Sequence, residues 1–395
     1  MLDIAYFSPL PPEPTGIADY SQELLRSLSE FVNLTLFAGR PSRVDGALRQ
    51  RYQVEPMSAY PKKRWEFDLA LYHMGNSPFH EGIYEMALRH PGIVVLHDVI
   101  LRDFAAHVTI GRGDHAAYAR EIGYEVGPAG YNLAWQIRLG RRKKPVQSLN
   151  FSKRLVDRSL GVIVHSHYAA ERVSRRSVDR PLAIIPLLAA DVDAVSLRHR
   201  LKLPDRTVLF ATTGLVNASK RIDLALDAFG RLKQVEPEVF LLIVGGAHTD
   251  VNLPRMIRER HLQTSVHCTG RVTMEEFKGW TAAADAVIAL RHPTLGETSA
   301  AAVRALAAGK PIVVFDDGWY GELPAEICQQ VAPLDVDSLT EAMLFMIRQP
   351  EKRLAMGLAA AAYASEYLDP RGVAGQYARF MEHVLEIARK PIAKA

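Results

Sequence analysis

Nearly continuous apolar runs alternate along this chain with stretches in which apolar residues recur every three or four positions. The first half holds "DIAYFSPL" (3–10), "LTLFAG" (34–39), "DLALYHM" (68–74), "GIVVLHD" (92–98), "GVIVHS" (161–166) and "LAIIPL" (182–187). Between the first two lies "IADYSQELLRSLSEF", an amphipathic helical pattern. Strands without polar alternation are buried on both faces, so the pattern predicts a parallel sheet covered by helices. A polar, strand-poor segment, "DVDAVSLRHRLKLPDR" (191–206), then interrupts the alternation. Beyond it the pattern restarts with "TVLFATTG" (207–214), "VFLLIVGG" (239–246), "SVHCTG" (265–270), "DAVIALR" (285–291), "PIVVFDD" (311–317) and "QQVAPLD" (329–335). With 395 residues, too many for one ordinary core, the reading is two Rossmann-like α/β domains, 1–190 and 207–370, joined by a linker at 191–206. Residues 337 to 390 read as helical throughout and form no third domain.

Composition narrows the function little but excludes several classes. A net charge of +4 is small for this length, so the total gives no support to nucleic-acid binding. Cations concentrate in "RLGRRKK" (138–144) and "ERVSRRSVDR" (171–180), which read either as solvated helix faces or as a patch for an anionic acceptor or a membrane surface. Cys268 and Cys328 lie in apolar contexts without metal-ligand spacing, so a reducing cytoplasm is the expected home and no metal site is expected. The amino terminus reads as a first strand rather than a signal peptide. No apolar run approaches the ~20 residues that span a bilayer, so any membrane contact is expected to be peripheral.

Open parallel sheets bind ligands where strands end and loops lead into helices, so those loops hold the candidate chemistry. "SPLPPEPTGIADYSQELL" is long for such a connection and opens a helix at Gly16, where a ligand can approach the backbone. "VVLHDVILRDF" puts His97 beside Asp98 at a strand end, either to meet a sugar hydroxyl or simply to cap backbone groups. "FATTGLVNASKRIDLALDAF" ends a strand at Gly214 and carries Asn217, Ser219, Lys220 and Arg221 into a helix. Two cations before a helix start oppose its dipole, and a bound phosphate would answer them. It is not a Walker loop. "TGRV" offers Arg271 to a phosphate or base and the backbone at Val272 to a base edge, although "TMEEF" after it is a plain capping sequence.

"RHPTLGETSAAAVRALAAGKPIVVFDD" (291–317) poses a choice between a phosphate-gripping turn and a well-capped helix. Thr298, Ser299 and Ala300 begin an alanine-rich helix whose uncluttered start suits an anion. Glu297 exceeds what capping requires, since Thr298 or Ser299 would suffice. Arg304 stands further along the same helix.

Taken in order, these loops resemble the family-four retaining glycosyltransferases of the GT-B fold, over nearly the whole chain. The resemblance rests on "SPLPPEPTGIADYS", "LHD", "VIVHS" with "IIPLLAADV", Gly214 with Lys220 six residues on, "TGRV" and "GETSAAAVRALAAGKPIVV". It implies two Rossmann-like domains facing across a cleft, with a nucleoside diphosphate sugar held by the second and a glycan or lipid-linked acceptor held by the first. It also implies a terminal helix, 371–395, crossing back to the first domain, and transfer of a hexose with retention and no metal cofactor. Lys220 would match the family's phosphate-binding lysine, His97 its histidine near the transferred sugar, and Glu297 would stand near the leading glutamate of its paired motif. The chain departs from the pattern at three places. Arg304 holds the trailing glutamate's position, Gly296 the leading one on an ungapped count, and Leu215 the usual phosphate-binding arginine's; Arg221 or Arg271 would supply that charge. The chain is similar to a "GETS" subgroup of bacterial surface-polysaccharide enzymes. A non-catalytic nucleotide-sugar-binding scaffold, for which Arg304 is the best argument, and an epimerase or phosphorylase on the same fold remain the alternatives.

Overall fold

The computed structural model describes residues 1–141, 149–175, 180–189, 192 and 194–389. Parts of both basic runs (142–144 and 176–179), of the predicted linker (191 and 193) and of the terminal helix (390–395) lie outside the described residues. The chain divides into two compact units.

The first unit is built on seven parallel strands: β1 (Asp3–Phe7), β2 (Asn33–Ala38), β3 (Gln53–Pro56), β4 (Leu69–Met74), β5 (Ile93–Leu96), β6 (Gly161–Val164) and β7 (Leu182–Ile184). They lie in the order β3-β2-β1-β4-β5-β6-β7. The second unit has six: β8 (Val208–Thr213), β9 (Val239–Val244), β10 (Val266–Gly270), β11 (Ala286–Ile288), β12 (Ile312–Phe315) and β13 (Cys328–Val331), in the order β10-β9-β8-β11-β12-β13. Both are doubly wound Rossmann-like sheets, as the apolar pattern predicts. In each, the winding reverses between the first and fourth strands, β1 beside β4 and β8 beside β11, and there the carboxyl ends open a ligand crevice.

β3 has no counterpart in the predicted strands. Its sequence, Gln-Val-Glu-Pro, has a single aliphatic residue and is half exposed at the sheet edge. Pairing with β2, Thr35 opposite Gln53 through Ala38 opposite Pro56, makes it a strand where local apolarity does not.

Phe7, Phe37, Tyr72, Val94 and Leu96 are sealed in the first core, and Phe210, Leu226, Phe229, Ile243 and Phe315 in the second. Each such side chain contributes about 2 kcal/mol relative to exposure. The helix Pro370–Arg389 belongs to the first unit. Its Tyr377 hydroxyl meets that of Tyr20 at 2.9 Å, and its Val384 lies so close to β6 that a Cβ on Gly161 would stand 2.8 Å from it. The stretch Leu295–Thr298 is also part of the first unit, whereas the chain from Ala189 to Thr294 and from Ser299 to Asp369 forms the second. The described end of the predicted linker packs as structure of the second unit: a 3-10 turn, Arg198–Leu201, whose Arg198 pairs with Asp285 at 3.0 Å.

Candidate functional site

In the second unit, the carboxyl ends of β8, β9 and β10 are laced together by glycines. Gly214, Gly245 and Gly270 all have positive φ (90°, 123° and 68°). A Cβ on Gly245 would sit 2.5 Å from the carbonyl oxygen of Gly214, so only glycine lets the two strand ends close. Gly214 is required by a different neighbour. A Cβ there would lie 2.7 Å from the Lys220 Nζ and 3.6 Å from the Ala301 Cβ. The bare strand end thus leaves room for the lysine ammonium and, beside it, for Ala301 in the first turn of the helix Ala300–Ala307.

The Lys220 ammonium is enclosed by protein, although the residue as a whole is half-buried, and donates to the backbone carbonyl of Thr213. Burial first, and then the Arg291 guanidinium, push it down to about 7. Arg291, in the loop after β11, donates to the Ser219 hydroxyl at 2.5 Å, and that hydroxyl donates to the Asn217 Oδ1 at 2.8 Å. The backbone N–H of His292 donates to the Ser219 carbonyl at 2.8 Å. The loop after β8 is therefore held by the loop after β11 across the switch point. Arg291 was not among the residues singled out from sequence. The signal available was a cation closing an apolar strand, in the same place in the second sheet as the candidate loops.

The helix Ala300–Ala307 begins here. Ser299 is its cap, accepting from the Ala302 N–H at 3.2 Å, so the helix starts at Ala300 and Thr298 lies outside it. Capping uses one orphan donor and leaves the Ala300 and Ala301 N–H groups beyond reach of any intrahelical carbonyl. Arg304 is half-buried on the same helix. Arg221 takes a left-handed conformation (φ 48°) before the helix Ile222–Val235, and its guanidinium forks onto Asp223 at 3.0 and 2.6 Å. A carboxylate of its own first turn therefore answers that cation, and no phosphate is needed to explain it. Arg271 is exposed after β10, its side chain lying against Gly246, where a Cβ would come within 3.0 Å. Val272 is half-buried just before Thr273, which forms a true capping box with Glu276.

In the first unit, Gly16 opens the helix Gly16–Leu28 behind the Thr15 cap and has open space where a Cβ would stand. The loop before it forms one wall of a pocket of about 510 Å³ at the carboxyl ends of β1 and β2, lined among others by Ser8, Leu10, Glu13, Arg40 and Arg43. Partial burial raises the Glu13 carboxyl above its usual range.

His97 sits in the middle of a row of three buried histidines, following β5, with His73 on β4 and His165 after β6. His165 Nδ1 lies 2.7 Å from the Ile185 carbonyl, His165 Nε2 lies 3.1 Å from His97 Nδ1, and His97 Nε2 lies 2.9 Å from His73 Nδ1. A carbonyl only accepts, so His165 carries its proton on Nδ1. Its Nε2 then accepts from His97, whose Nε2 accepts from His73 in turn. One backbone carbonyl fixes all three tautomers. Burial holds all three imidazoles below the usual histidine range, His165 at about 4, with the other histidines adding to it at His73 and His97. Both ring nitrogens of His97 are occupied. Its sequence neighbour Asp98 turns elsewhere, accepting from the Asn76 N–H at 2.7 Å. His73 and His165 were passed over in sequence, although three histidines closing three successive apolar runs was a readable signal.

Glu297 lies on the first unit's part of its loop, and its carboxylate accepts from the Leu295 N–H at 2.6 Å. The Leu295 carbonyl in turn accepts from the N–H groups of Val99 (3.1 Å) and Ile100 (3.0 Å). Gly296 (φ 78°) packs where a Cβ would stand 3.1 Å from Val99, and the Thr298 hydroxyl reaches the His165 carbonyl at 3.4 Å. The structure thus groups Gly214, Asn217, Lys220, Ser299, Ala300 and Arg304 in one unit, and Gly16, His97, Glu297 and Thr298 in the other.

Two Rossmann-like parallel-sheet units of this kind are the GT-B architecture, and the fold is similar throughout to solved proteins of that class. Residues 196–363 match the family described as glycosyl transferases group 1. Over 180 residues the chain is 31% identical to the GDP-mannose-dependent alpha-(1-6)-phosphatidylinositol monomannoside mannosyltransferase of Mycolicibacterium smegmatis. That alignment takes in 43% of this chain and 47% of that protein, so the chain spans about half the length of the curated relative it matches. Among solved structures, Anabaena HepE in complex with UDP and glucose is similar over 97% of this chain and all of that one (TM-score 0.70, 16% identity). Sucrose-phosphate synthase of Thermosynechococcus elongatus is similar over 98% of this chain and all of that one (TM-score 0.71, 14% identity).

Proposed function

We propose that this protein transfers a hexosyl group from a nucleoside diphosphate sugar to a glycan or lipid-linked glycan acceptor, with retention at the anomeric carbon. The observation that carries the reading is the Lys220 ammonium seated over Gly214, beside Arg291 and the start of the helix Ala300–Ala307. Cleaving the sugar–phosphate bond leaves negative charge on the departing diphosphate. A buried ammonium, a guanidinium and two outward-facing N–H groups, already in place before the reaction, stabilise that charge more than they stabilise the ground state. They also supply positive charge of the kind a divalent metal supplies elsewhere, which supports metal-independent transfer.

Retention on this reading needs no protein nucleophile, because the acceptor hydroxyl attacks from the face that the diphosphate leaves. The pocket bearing Glu13, Arg40 and Arg43 supports an acceptor site in the first unit. His97, with both nitrogens engaged, acts by holding the shape of the loop after β5, not by transferring a proton itself. The base of the donor is open between the two nucleotides named for similar proteins, UDP for Anabaena HepE and GDP for the mycobacterial mannosyltransferase.

The test is turnover of UDP-, GDP- and ADP-sugars with a glycan acceptor, following the anomeric configuration of the product by NMR. One donor class is expected to turn over with retention, and Lys220→Ala to lose at least ~100-fold in kcat. Tight binding without turnover for every donor would favour the scaffold reading, for which Arg304 at the usual glutamate position is the supporting observation.

A further inference from the structure

The helices His115–Val126 and Ala129–Arg138 form a tight hairpin in the first unit. They approach so closely that a Cβ on Gly130 would stand 2.5 Å from the Ile122 carbonyl oxygen. The second helix turns Leu133, Ala134 and Ile137 to the core. Its other face carries Tyr131 (54% exposed), Trp135 (54%) and Leu139 (45%), spaced i, i+4 and i+8 as one helical stripe. Arg138 falls on the same stripe, its guanidinium 5.6 Å from the centre of the Trp135 ring, and Arg141 follows. The Tyr131 ring also packs on the first helix, where a Cβ on Gly123 would stand 2.7 Å from it, while Trp135 and Leu139 leave an apolar surface open beside it.

Charge identifies the occupant. From Val126 to Val156 the sequence contains no aspartate or glutamate. Of the cations in that span, Lys153 and Arg154 pair with Asp157 at 2.7 Å and Glu121 at 3.0 Å beyond its two ends, residues 142–144 lie outside the described residues, and Arg138 and Arg141 stand beside the stripe. A protein-binding stripe is ordinarily rimmed by charges of both signs. Amphipathic aromatic rings beside cations, with no carboxylate among them, match the headgroup level of an anionic bilayer, where Trp and Tyr rings sit half immersed and cations meet lipid phosphates. We propose that the Tyr131–Trp135–Leu139 stripe, with Arg138 and Arg141, docks the protein on an anionic lipid surface. This inference is independent of the transfer reaction proposed above.

The test is co-sedimentation of the full chain with phosphatidylcholine vesicles, with and without about 30% phosphatidylglycerol, at low and high salt. The expected result is partition onto the anionic vesicles only, weakened by salt, with a blue shift of tryptophan emission. Trp135→Ser with Leu139→Ser, and separately Arg138→Ser with Arg141→Ser, are each expected to lower the partition at least ~10-fold while thermal unfolding stays unchanged. Trp65→Ala removes an exposed tryptophan outside the hairpin and is expected to leave partition unchanged. Absence of wild-type binding, equal binding to both vesicles, equal loss in Trp65→Ala, or wild-type partition in stripe variants that remain folded would each overturn the proposal. So would a dimer that the stripe variant converts to monomer, since the face would then serve self-association.

Discussion

Lys220 should make donor binding depend on pH in a direction and size that the structure sets. In the free protein burial and Arg291 push its ammonium down to about 7. A diphosphate beside it favours the charged form and returns it toward the ordinary ~10.4 of lysine. Binding therefore takes up a proton wherever free Lys220 is neutral. The useful window lies above pH 7, because the terminal phosphate of a nucleoside diphosphate itself titrates near ~6. Between pH 7.5 and pH 9 the protonated fraction of a group at about 7 falls from roughly one quarter to one hundredth. The dissociation constant should rise about 25-fold over that interval, ~1.9 kcal/mol at 1.36 kcal/mol per tenfold. Isothermal titration calorimetry with UDP or GDP, in buffers of different ionisation enthalpy, reads the proton count directly: about 0.75 at pH 7.5 and about 1 at pH 9. Lys220→Arg keeps its charge throughout and should flatten both curves. A wild-type affinity that is level from pH 7.5 to 9 with no proton uptake would refute the reasoning, because the buried ammonium would then not be the group that meets the diphosphate.

Four other outcomes follow from the same geometry. Gly214→Ala forces a side chain into a positive-φ position and against the Lys220 ammonium; it should cost about 1–2 kcal/mol in urea unfolding and lower nucleotide affinity at least ~10-fold by calorimetry. In Lys220→Met the sign concerns stability: the folded lysine titrates below the unfolded one, so wild-type stability rises from pH 7 toward pH 10, and the variant should melt a few degrees higher at pH 7 but not at pH 10. The histidine row works in the same direction, but at acid pH. His165 titrates at about 4 folded against ~6.5 unfolded, so about 3 kcal/mol present above pH 6.5 is lost as pH falls to 4, and a His165→Asn variant measured by urea unfolding should show a shallower acid loss. Finally, turnover should be insensitive to EDTA, and a strict magnesium requirement in a steady-state assay would show that Lys220 and Arg291 do not carry the diphosphate charge.

Much of the fold was legible, and for one reason. A strand buried on both faces must be apolar at every position, so central strands such as β1, β4, β5, β9 and β12 announce themselves as apolar runs, whereas β3, half exposed at the sheet edge, does not. Gly214 and Lys220 were legible as neighbours in one loop. Their contact depends on the hydrogen bond to Thr213 and the approach of Ala301, which local sequence does not report. Arg221 shows the opposite case: its charge looked unanswered in sequence, yet Asp223 two residues on was its partner.

By itself the sequence determined two parallel sheets covered by helices and the loops in which their ligand chemistry lies, because burial pattern and helix starts are local properties. Tertiary structure alone decided which loop residues meet. The Arg291 to Ser219 bond spans 72 residues and the His97 to His165 contact 68, and both exist because β11 lies beside β8 and β6 beside β5. Strand order is set by long-range packing of whole faces rather than by any segment's own preference. For that reason Lys220 gained a cationic neighbour, and His97 lost both of its nitrogens to other histidines.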